Sequence, residues 1–145
     1  MSVTRFSHVT LYCADLDASL AFYRDVLEMS IADRKLPKGF PRAAIGCFVD
    51  GEWCLHFFEA TAEQRAQFET LPERRTGVLM HVSLRAEGYV ATKARLEARG
   101  IRFREFTVGD RHLVQFLDLD GLEIELTFSP DELPNGPVPW SAGAG

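Results

Sequence analysis

The chain has 145 residues, of which 46% are hydrophobic and 26% charged, as expected for one ordinary folded domain spanning residues 1–145. Its net charge of −5 and pI near 5.4 argue against a general nucleic-acid binder, which needs a basic face to replace phosphate counterions. No apolar run reaches the roughly 18–20 residues that cross a bilayer, and the first residues do not resemble a signal peptide. We therefore expect a cytoplasmic protein with no membrane or nucleic-acid partner. Three cysteines, an odd number, favour reduced thiols over a disulfide framework.

The first part of the chain predicts the order β-α-β-β-β. Residues 7–13 alternate polar and apolar side chains, the period of a strand with two different faces. Asp15 is placed to cap a helix that runs through about Glu28. Asp50-Gly51 is a strong hairpin-turn signal between two strands. The three strands after the helix are predicted at about 30–35, 42–50 and 52–59.

After a connecting segment at about 60–77, in which Thr61 and Gln64 form a plausible capping box for a short helix, the same order begins again. A strand at 79–85 precedes a helix at about 88–99, which Gly100 closes. The remaining strands are predicted at 101–107, 111–118 and 122–128, the last two joined through Asp120-Gly121. The tail, 130–145, contains four prolines and three glycines and is expected to be irregular and partly mobile.

An internal repeat connects the two halves. At an offset of 73 residues, His8-Val9-Thr10-Leu11 falls on His81-Val82-Ser83-Leu84, with three identities and one exchange of hydroxyl residues. A four-residue match is weak alone, but the same order of elements surrounds it in both halves. We therefore predict a duplication, with module one at about 5–59 and module two at about 78–128.

Four side chains in these modules are candidates for chemistry. Alternation places His8 and His81 on the strand faces opposite the apolar residues that pack on the helices. His56 and Glu125 lie in the last strand of their modules, also facing away from apolar neighbours. If the modules pack with pseudo-twofold symmetry, all four converge in one cleft. Two imidazoles and one carboxylate form a common ligand set for iron, zinc, nickel, cobalt or manganese.

Three segments resemble the vicinal oxygen chelate superfamily, which contains glyoxalases, bleomycin resistance proteins and extradiol dioxygenases. They are FSHVTLYCADLDASLAFYRDVLEM at 6–29, MHVSL at 80–84 and DLDGLEIEL at 118–126. The resemblance implies an α+β domain, in which two β-α-β-β-β modules form a cup-shaped mixed sheet around one divalent metal ion. It also implies His8, His81 and Glu125 as metal ligands, a homodimer, and a small-molecule substrate that chelates the metal through adjacent oxygens.

His56 is a departure from that pattern, because glyoxalase I enzymes carry a second Glu at this position as ligand and base. It is a fourth metal ligand, a general base or a substrate contact, which makes His56 and Glu125 the candidate catalytic residues. His112 is expected at the surface or next to the metal ligands without contacting the metal, and the face of its strand depends on the length of the turn at 118–122. Glu123, at the start of the last strand, is expected to be solvated. Candidate substrate-binding residues, for which ordinary packing is the alternative, are Tyr12, Phe58, Gln115 and Arg111.

The ligand pattern favours a metal-dependent enzyme with glyoxalase-like lyase or isomerase chemistry. One alternative is a non-catalytic protein that binds a drug or metabolite, and another is an extradiol ring-cleaving dioxygenase. In a third, the histidines are structural residues of an α+β domain. Metal content discriminates among them, because a sequestering protein keeps its ligand affinity after chelation.

Overall fold

The computed structural model has an α+β fold with eight strands and three α-helices in the part of the chain that it describes, as the sequence predicts. The chain divides into two compact units, Met1–Arg75 and Thr76–Gly145, which correspond to the two predicted modules with their flanking segments. That both modules belong to one domain around a shared cup stays a prediction. The described residues are 7–33, 43–49, 52–69 and 79–139.

The N-terminal unit contains a four-stranded mixed sheet in the order β1-β4-β3-β2. Strand β1 runs parallel to β4, and the other neighbours are antiparallel. The predicted Asp50-Gly51 turn lies outside the described residues. The elements are β1 (Val9–Cys13), α1 (Leu16–Leu27), β2 (Ile31–Asp33), β3 (Ala43–Val49), β4 (Glu52–Glu59) and α2 (Ala62–Glu69).

The C-terminal unit repeats this arrangement, with strand order β5-β8-β7-β6 and one parallel pair, β5 with β8. The predicted Asp120-Gly121 turn is present, and Gly121 adopts φ 85°, a conformation that glycine tolerates best. The elements are β5 (His81–Arg85), α3 (Tyr89–Ala98), β6 (Phe103–Val108), β7 (Arg111–Leu117), β8 (Glu123–Phe128) and a 3₁₀ turn (Pro130–Glu132).

The strand registers show which residues in the last strands of the two modules are equivalent in the internal repeat. Thr10 pairs with His56 across β1 and β4, and Ser83 pairs with Glu125 across β5 and β8. Since Thr10 and Ser83 are equivalent in the repeat, His56 occupies in the first module the position that Glu125 occupies in the second.

Helix α1 begins where the sequence predicts. The Asp15 side chain accepts a hydrogen bond from the Ala18 amide at 3.0 Å, which satisfies one amide that the helix itself leaves unpaired. Its buried stripe faces the sheet, and the helix ends at Leu27, followed by Glu28 as the C-cap with φ 54°. The buried residues are Leu16, Ser19, Leu20, Phe22, Tyr23 and Val26.

Asp15→Ala should lower the free energy of unfolding by about 1 kcal/mol, because it removes the N-cap acceptor of α1. Asp15→Asn keeps that acceptor and should remain within a few tenths of a kcal/mol of the native protein. Urea titrations of the three proteins measure the difference. Equal losses in both variants would show that the cap does not hold this helix.

Hydrogen bonds hold described parts of the connecting segment and of the tail in place. Thr61 and Gln64 form the predicted capping box, with amide-to-side-chain bonds of 2.9 and 3.2 Å. In the tail, Glu132 accepts hydrogen bonds from the amides of Gly88, the N-cap of α3, and of Tyr89, its first residue. Further along, Val138 exchanges bonds with Thr107. Glu132 and Val138 are therefore held against α3 and β6, while the described part of the tail is irregular apart from its 3₁₀ turn, as predicted. In the described segments no helix is long and apolar enough to cross a membrane.

Candidate functional site

Strand alternation sorts both sheets into an apolar face and a polar face. Leu55 and Phe57 are buried while His56 between them is half-buried, and Ile124 and Leu126 are buried on either side of Glu125. The candidate residues therefore lie on the face away from the apolar core of their unit, as the sequence predicts.

In the N-terminal unit, the structure brings His8 and His56 together. Their rings stack, with centroids 4.0 Å apart and planes inclined by 15°. Ser7 Oγ lies 2.9 Å from His8 Nδ1, so Nε2 is the ring nitrogen that Ser7 does not engage. Because the lone pairs of imidazole lie in the ring plane, two nearly parallel stacked rings do not aim at one point. Both can bind a single ion only if one ring turns.

Two further predicted residues lie on the same polar face. Tyr12 is the cross-strand partner of Phe58, and their ring centroids are 6.4 Å apart. Tyr12 is 44% exposed. Tyr12 and Phe58 therefore present aromatic surface two residue pairs along the strands from Thr10 and His56, on the same face.

In the C-terminal unit, Glu125 is the centre of a polar row that crosses all four strands. Its Oε1 accepts a hydrogen bond of 2.7 Å from Ser83 Oγ, and its Oε2 accepts one of 2.6 Å from Gln115 Nε2. The side chain of Glu125 is only 12% exposed. A carboxylate that is so little exposed to water needs partners that compensate its negative charge. Its two hydrogen-bond donors, Ser83 and Gln115, are neutral.

His81 lies beside this carboxylate. Its Nε2 is 4.0 Å from Glu125 Oε1, and its Nδ1 is 3.8 Å from Glu123 Oε1. Both distances exceed a hydrogen bond, and Nδ1 is buried with no hydrogen-bond partner in the described part of the chain. The two carboxylates therefore approach different nitrogens of one imidazole.

Arg104 is the remaining charged side chain that contacts the residues around Glu125. Its Nε donates to Gln115 Oε1 at 2.6 Å, and its Nη2 donates to Glu123 Oε2 at 3.2 Å. Arg104 and Glu123 are residues that sequence reasoning missed, since Glu123 was expected to be solvated at the start of its strand. Its side chain is instead 23% exposed. We call the following residues the Glu125 cluster: His81, Ser83, Arg104, Gln115, Glu123 and Glu125.

The His81–Glu125 pair fits a divalent ion. A nitrogen and an oxygen each about 2.0–2.2 Å from one ion lie roughly 3–3.5 Å apart, so a separation of 4.0 Å has to close by less than about 1 Å. The side chains that orient Glu125 are of the kind that support metal ligands. Across the segments that are described, no three His, Cys, Asp or Glu residues form a group that would hold a metal. The complete ligand set stays a prediction.

The other predicted residues occupy different environments. Gln115 is 7% exposed and hydrogen-bonded at both amide atoms. The Arg111 side chain is 62% exposed, and its nearest charged partner is Asp110 at 3.9 Å. Arg111 is four residues from Gln115 on β7, about 13 Å along the strand, and the structure does not bring it into the Glu125 cluster.

A family model described as the Glyoxalase/Bleomycin resistance protein/Dioxygenase superfamily matches residues 5–126. The chain belongs to this superfamily. The match spans both modules, and includes all of the predicted ligand positions. No match was found among curated proteins.

Solved structures of the superfamily share the fold at low sequence identity. A glyoxylase/bleomycin resistance protein/dioxygenase domain from Frankia sp. EAN1pec has a TM-score of 0.66 at 22% identity, covering 88% of this chain and 99% of that one. Lactoylglutathione lyase from Agrobacterium tumefaciens gives 0.59 at 24%, covering 88% and 95%. TnmS3, an antibiotic-binding protein from Streptomyces sp. CB03234, gives 0.64 at 19%, covering 89% and 98%. At these identities the likeness shows the fold alone.

The fourth histidine of this superfamily member, His112, lies on the other face of its sheet. It is completely buried, and so lies neither at the surface nor beside the predicted ligands as expected, because β7 pairs with β8 in a register that places Gln115, and not His112, on the face of Glu125. His112 packs edge-on against the Tyr89 ring, and Thr107 Oγ1 lies 3.1 Å from its Nδ1. Glu105 Oε2 is 3.6 Å from its Nε2.

Burial and the neighbouring charged groups together change the pKa of His112 in the folded protein. Burial lowers the pKa of His112 more than the nearby Glu105 carboxylate raises it. Burial also raises the pKa of Glu105, but hydrogen bonds from Lys93 and Tyr89, of 2.6 and 2.7 Å, outweigh it and hold that pKa below its ordinary value. The native state thus favours a neutral imidazole beside an ionised carboxylate.

The free energy of unfolding should fall as the pH is lowered from about 7.5 to 5.5. A histidine whose pKa is lower in the folded chain than in the unfolded chain, where it is about 6.5, binds fewer protons when folded, so acid favours unfolding. His112→Gln removes this contribution and should flatten the slope over that range. Urea titrations at several pH values test it. An unchanged slope in the variant would assign the acid sensitivity to other groups.

Proposed function

We propose that the protein is a metal-dependent enzyme of the glyoxalase/dioxygenase type, acting on a small substrate with adjacent oxygens. The observation that carries the proposal is the Glu125 carboxylate, 12% exposed and held by Ser83 and Gln115 beside His81 Nε2. A nearly buried carboxylate with two neutral donors is poorly compensated unless a cation binds it. In the proposal His8, His81 and Glu125 hold one divalent ion of iron, zinc, nickel, cobalt or manganese.

When bound, such an ion would polarise the adjacent oxygens of the substrate as a Lewis acid. The side chains of this protein supply the metal ligands and hold them in position. His8 and His81 contribute ring nitrogens, and Ser83 holds one oxygen of Glu125 in a fixed direction.

In this proposal His56 receives or returns a proton at a ring nitrogen. A histidine titrates near neutral pH, and its stacking on His8 at 4.0 Å supports a role as base or substrate contact over one as a fourth ligand. Tyr12 and Phe58, on the same face, supply aromatic surface for the apolar part of a substrate.

Among the possible reactions, we propose lyase or isomerase chemistry of the glyoxalase type. Agrobacterium tumefaciens lactoylglutathione lyase is a structural neighbour, although His56 stands where glyoxalase I enzymes carry a second Glu. An extradiol ring-cleaving dioxygenase is a further candidate, in which His56 is the additional acid–base histidine. A homodimer is proposed from the family resemblance.

A second candidate function is non-catalytic binding of a drug or metabolite. The exposed Tyr12 ring beside Phe58 favours it, because an exposed aromatic face can stack on a planar ligand. The Streptomyces neighbour is an antibiotic-binding protein. In this case ligand affinity would not depend on metal.

Elemental mass spectrometry of the untagged protein, purified without chelator, tests the proposal. We expect near-stoichiometric divalent metal, which dialysis against a chelator removes and one of the five candidate ions restores. Methylglyoxal–glutathione hemithioacetal and catechol are the first assay substrates for the restored protein. If no candidate ion binds even after reconstitution, the enzyme proposal is overturned and the binding function is favoured.

A further inference from the structure

Gln115 was a candidate for substrate contact, but its environment indicates another role. Its side chain lies in a cross-strand row in which each residue is the direct register partner of the next: Ser83 with Glu125, Glu125 with Gln115, and Gln115 with Arg104. Directly paired residues project from the same face of a sheet. The row therefore aligns four polar side chains across the whole sheet.

The hydrogen bonds along this row have only one possible direction. Arg104 Nε donates to Gln115 Oε1 at 2.6 Å, and Gln115 Nε2 donates to Glu125 Oε2 at 2.6 Å. A guanidinium can only donate and an ionised carboxylate can only accept. Turning the Gln115 amide over would set donor against donor and acceptor against acceptor. The orientation of the amide is therefore set by both neighbours, Arg104 at its oxygen and Glu125 at its nitrogen.

The first module has no counterpart of this arrangement. The register partner of His56 on β3 is Ile45, and the partner of Ile45 on β2 is Ala32. These are the positions of Gln115 and Arg104 in the repeat. The amide and the guanidinium are thus present in the module whose last strand carries a carboxylate, and replaced by apolar residues in the module that carries a histidine.

We propose that Gln115 is a positioning residue for the Glu125 carboxylate, and that Arg104 fixes the direction of the Gln115 amide. The inference rests on the proposed metal site, and it adds the residues that hold the Glu125 carboxylate in position to bind the metal. With Oε2 bound to Gln115, the carboxylate cannot rotate freely, and Oε1 remains the oxygen nearest to His81 Nε2. Gln115 contacts neither substrate nor metal in this role.

If Gln115 positions the carboxylate, its loss should weaken metal binding. Titration of Co²⁺ into the metal-free protein, followed by visible absorption and calorimetry, tests this effect. Gln115→Leu keeps a side chain of similar size but removes the donor, and should weaken Co²⁺ binding about 10–100-fold, as loss of an outer partner of a metal ligand does. Gln115→Glu keeps the acceptor for Arg104 but faces Glu125 with a second carboxylate, so it should not restore the native affinity or coordination spectrum.

Arg104→Met should weaken Co²⁺ binding by less than Gln115→Leu, because the amide remains but can turn. Arg102→Met is the matched control: it removes the same charge from an exposed residue two positions earlier, and should leave the affinity unchanged. Since Arg104 also contacts Glu123, Glu123→Gln is measured alongside. If Glu123→Gln reproduces the effect of Arg104→Met, the proposed action of Arg104 through Gln115 is overturned.

A second measurement needs no metal. In the ¹⁵N NMR spectrum of the metal-free protein, the Gln115 side-chain amide should show one proton shifted downfield and slow to exchange. Glu125→Ala should abolish both features. A rapidly exchanging amide in the native protein overturns the inference by itself.

The outcomes separate this inference from the proposed function. If the native protein and Gln115→Leu bind Co²⁺ equally well, the positioning role is overturned while the metal site stands. If the native protein binds no divalent ion, the proposed function fails and the positioning role fails with it. Weakened binding in Gln115→Leu, together with the protected amide, supports both.

Discussion

Glu125→Gln should lower the affinity for a divalent ion by more than about 100-fold and leave the fold intact. Loss of a residue that only orients a ligand costs about 10–100-fold, and this substitution removes the proposed ligand charge itself. The amide is nearly the same size as the carboxylate and can still accept the bond from Ser83. Calorimetric titration with Zn²⁺ and Co²⁺ measures the affinity, and circular dichroism with a urea titration measures the fold.

Glu97→Gln is the matched control for this experiment. Glu97 is exposed on α3, so the substitution removes one negative charge without touching the Glu125 cluster. It should retain the native affinity. If Glu97→Gln and Glu125→Gln bind the ion equally well, Glu125 is not a ligand, and a general electrostatic attraction explains any metal uptake.

The sequence was sufficient to predict the faces of the strands on which the candidate residues lie. Strand alternation needs only the order of polar and apolar residues, and it correctly separated His56 from Phe57 and Glu125 from Ile124. The repeat of four residues around His8 and His81 predicted the duplicated order of elements. Both signals are local in sequence, which is why they could be found without a structure.

The composition of the Glu125 cluster was not predictable in the same way. Glu123 was expected to be solvated, but Arg104, 19 residues earlier, lies against it because β6 pairs with β7 and β7 with β8. The face of His112 depended on the loop between β7 and β8, whose length the sequence did not determine. In the structure Leu117 pairs with Glu123, so five residues separate the paired positions. These contacts depend on strand register, which in a hairpin is fixed by the turn type and the loop length, and the alternation of polar and apolar residues does not give the loop length.

Phe57→Ala should lower the free energy of unfolding by about 3–5 kcal/mol, as expected when a fully buried phenylalanine is replaced and a cavity remains. Phe57 is 0% exposed, and its ring centroid is 4.7 Å from that of Tyr23 on α1. The substitution thus removes the contact between the last strand of the first module and its helix. Urea or thermal unfolding followed by circular dichroism gives the loss.

Phe58→Ala makes the same chemical change one residue later, where alternation turns the side chain to the other face. Phe58 is half-buried and faces Tyr12 at a centroid distance of 6.4 Å, so its removal should destabilise the fold less. If that face binds a substrate or drug, Phe58→Ala should instead weaken ligand binding in a protein that still folds. Equal stability losses in the two variants would mean that Phe58 is an ordinary core residue. A Phe58 side chain that faces a ligand should affect ligand affinity more than the free energy of unfolding.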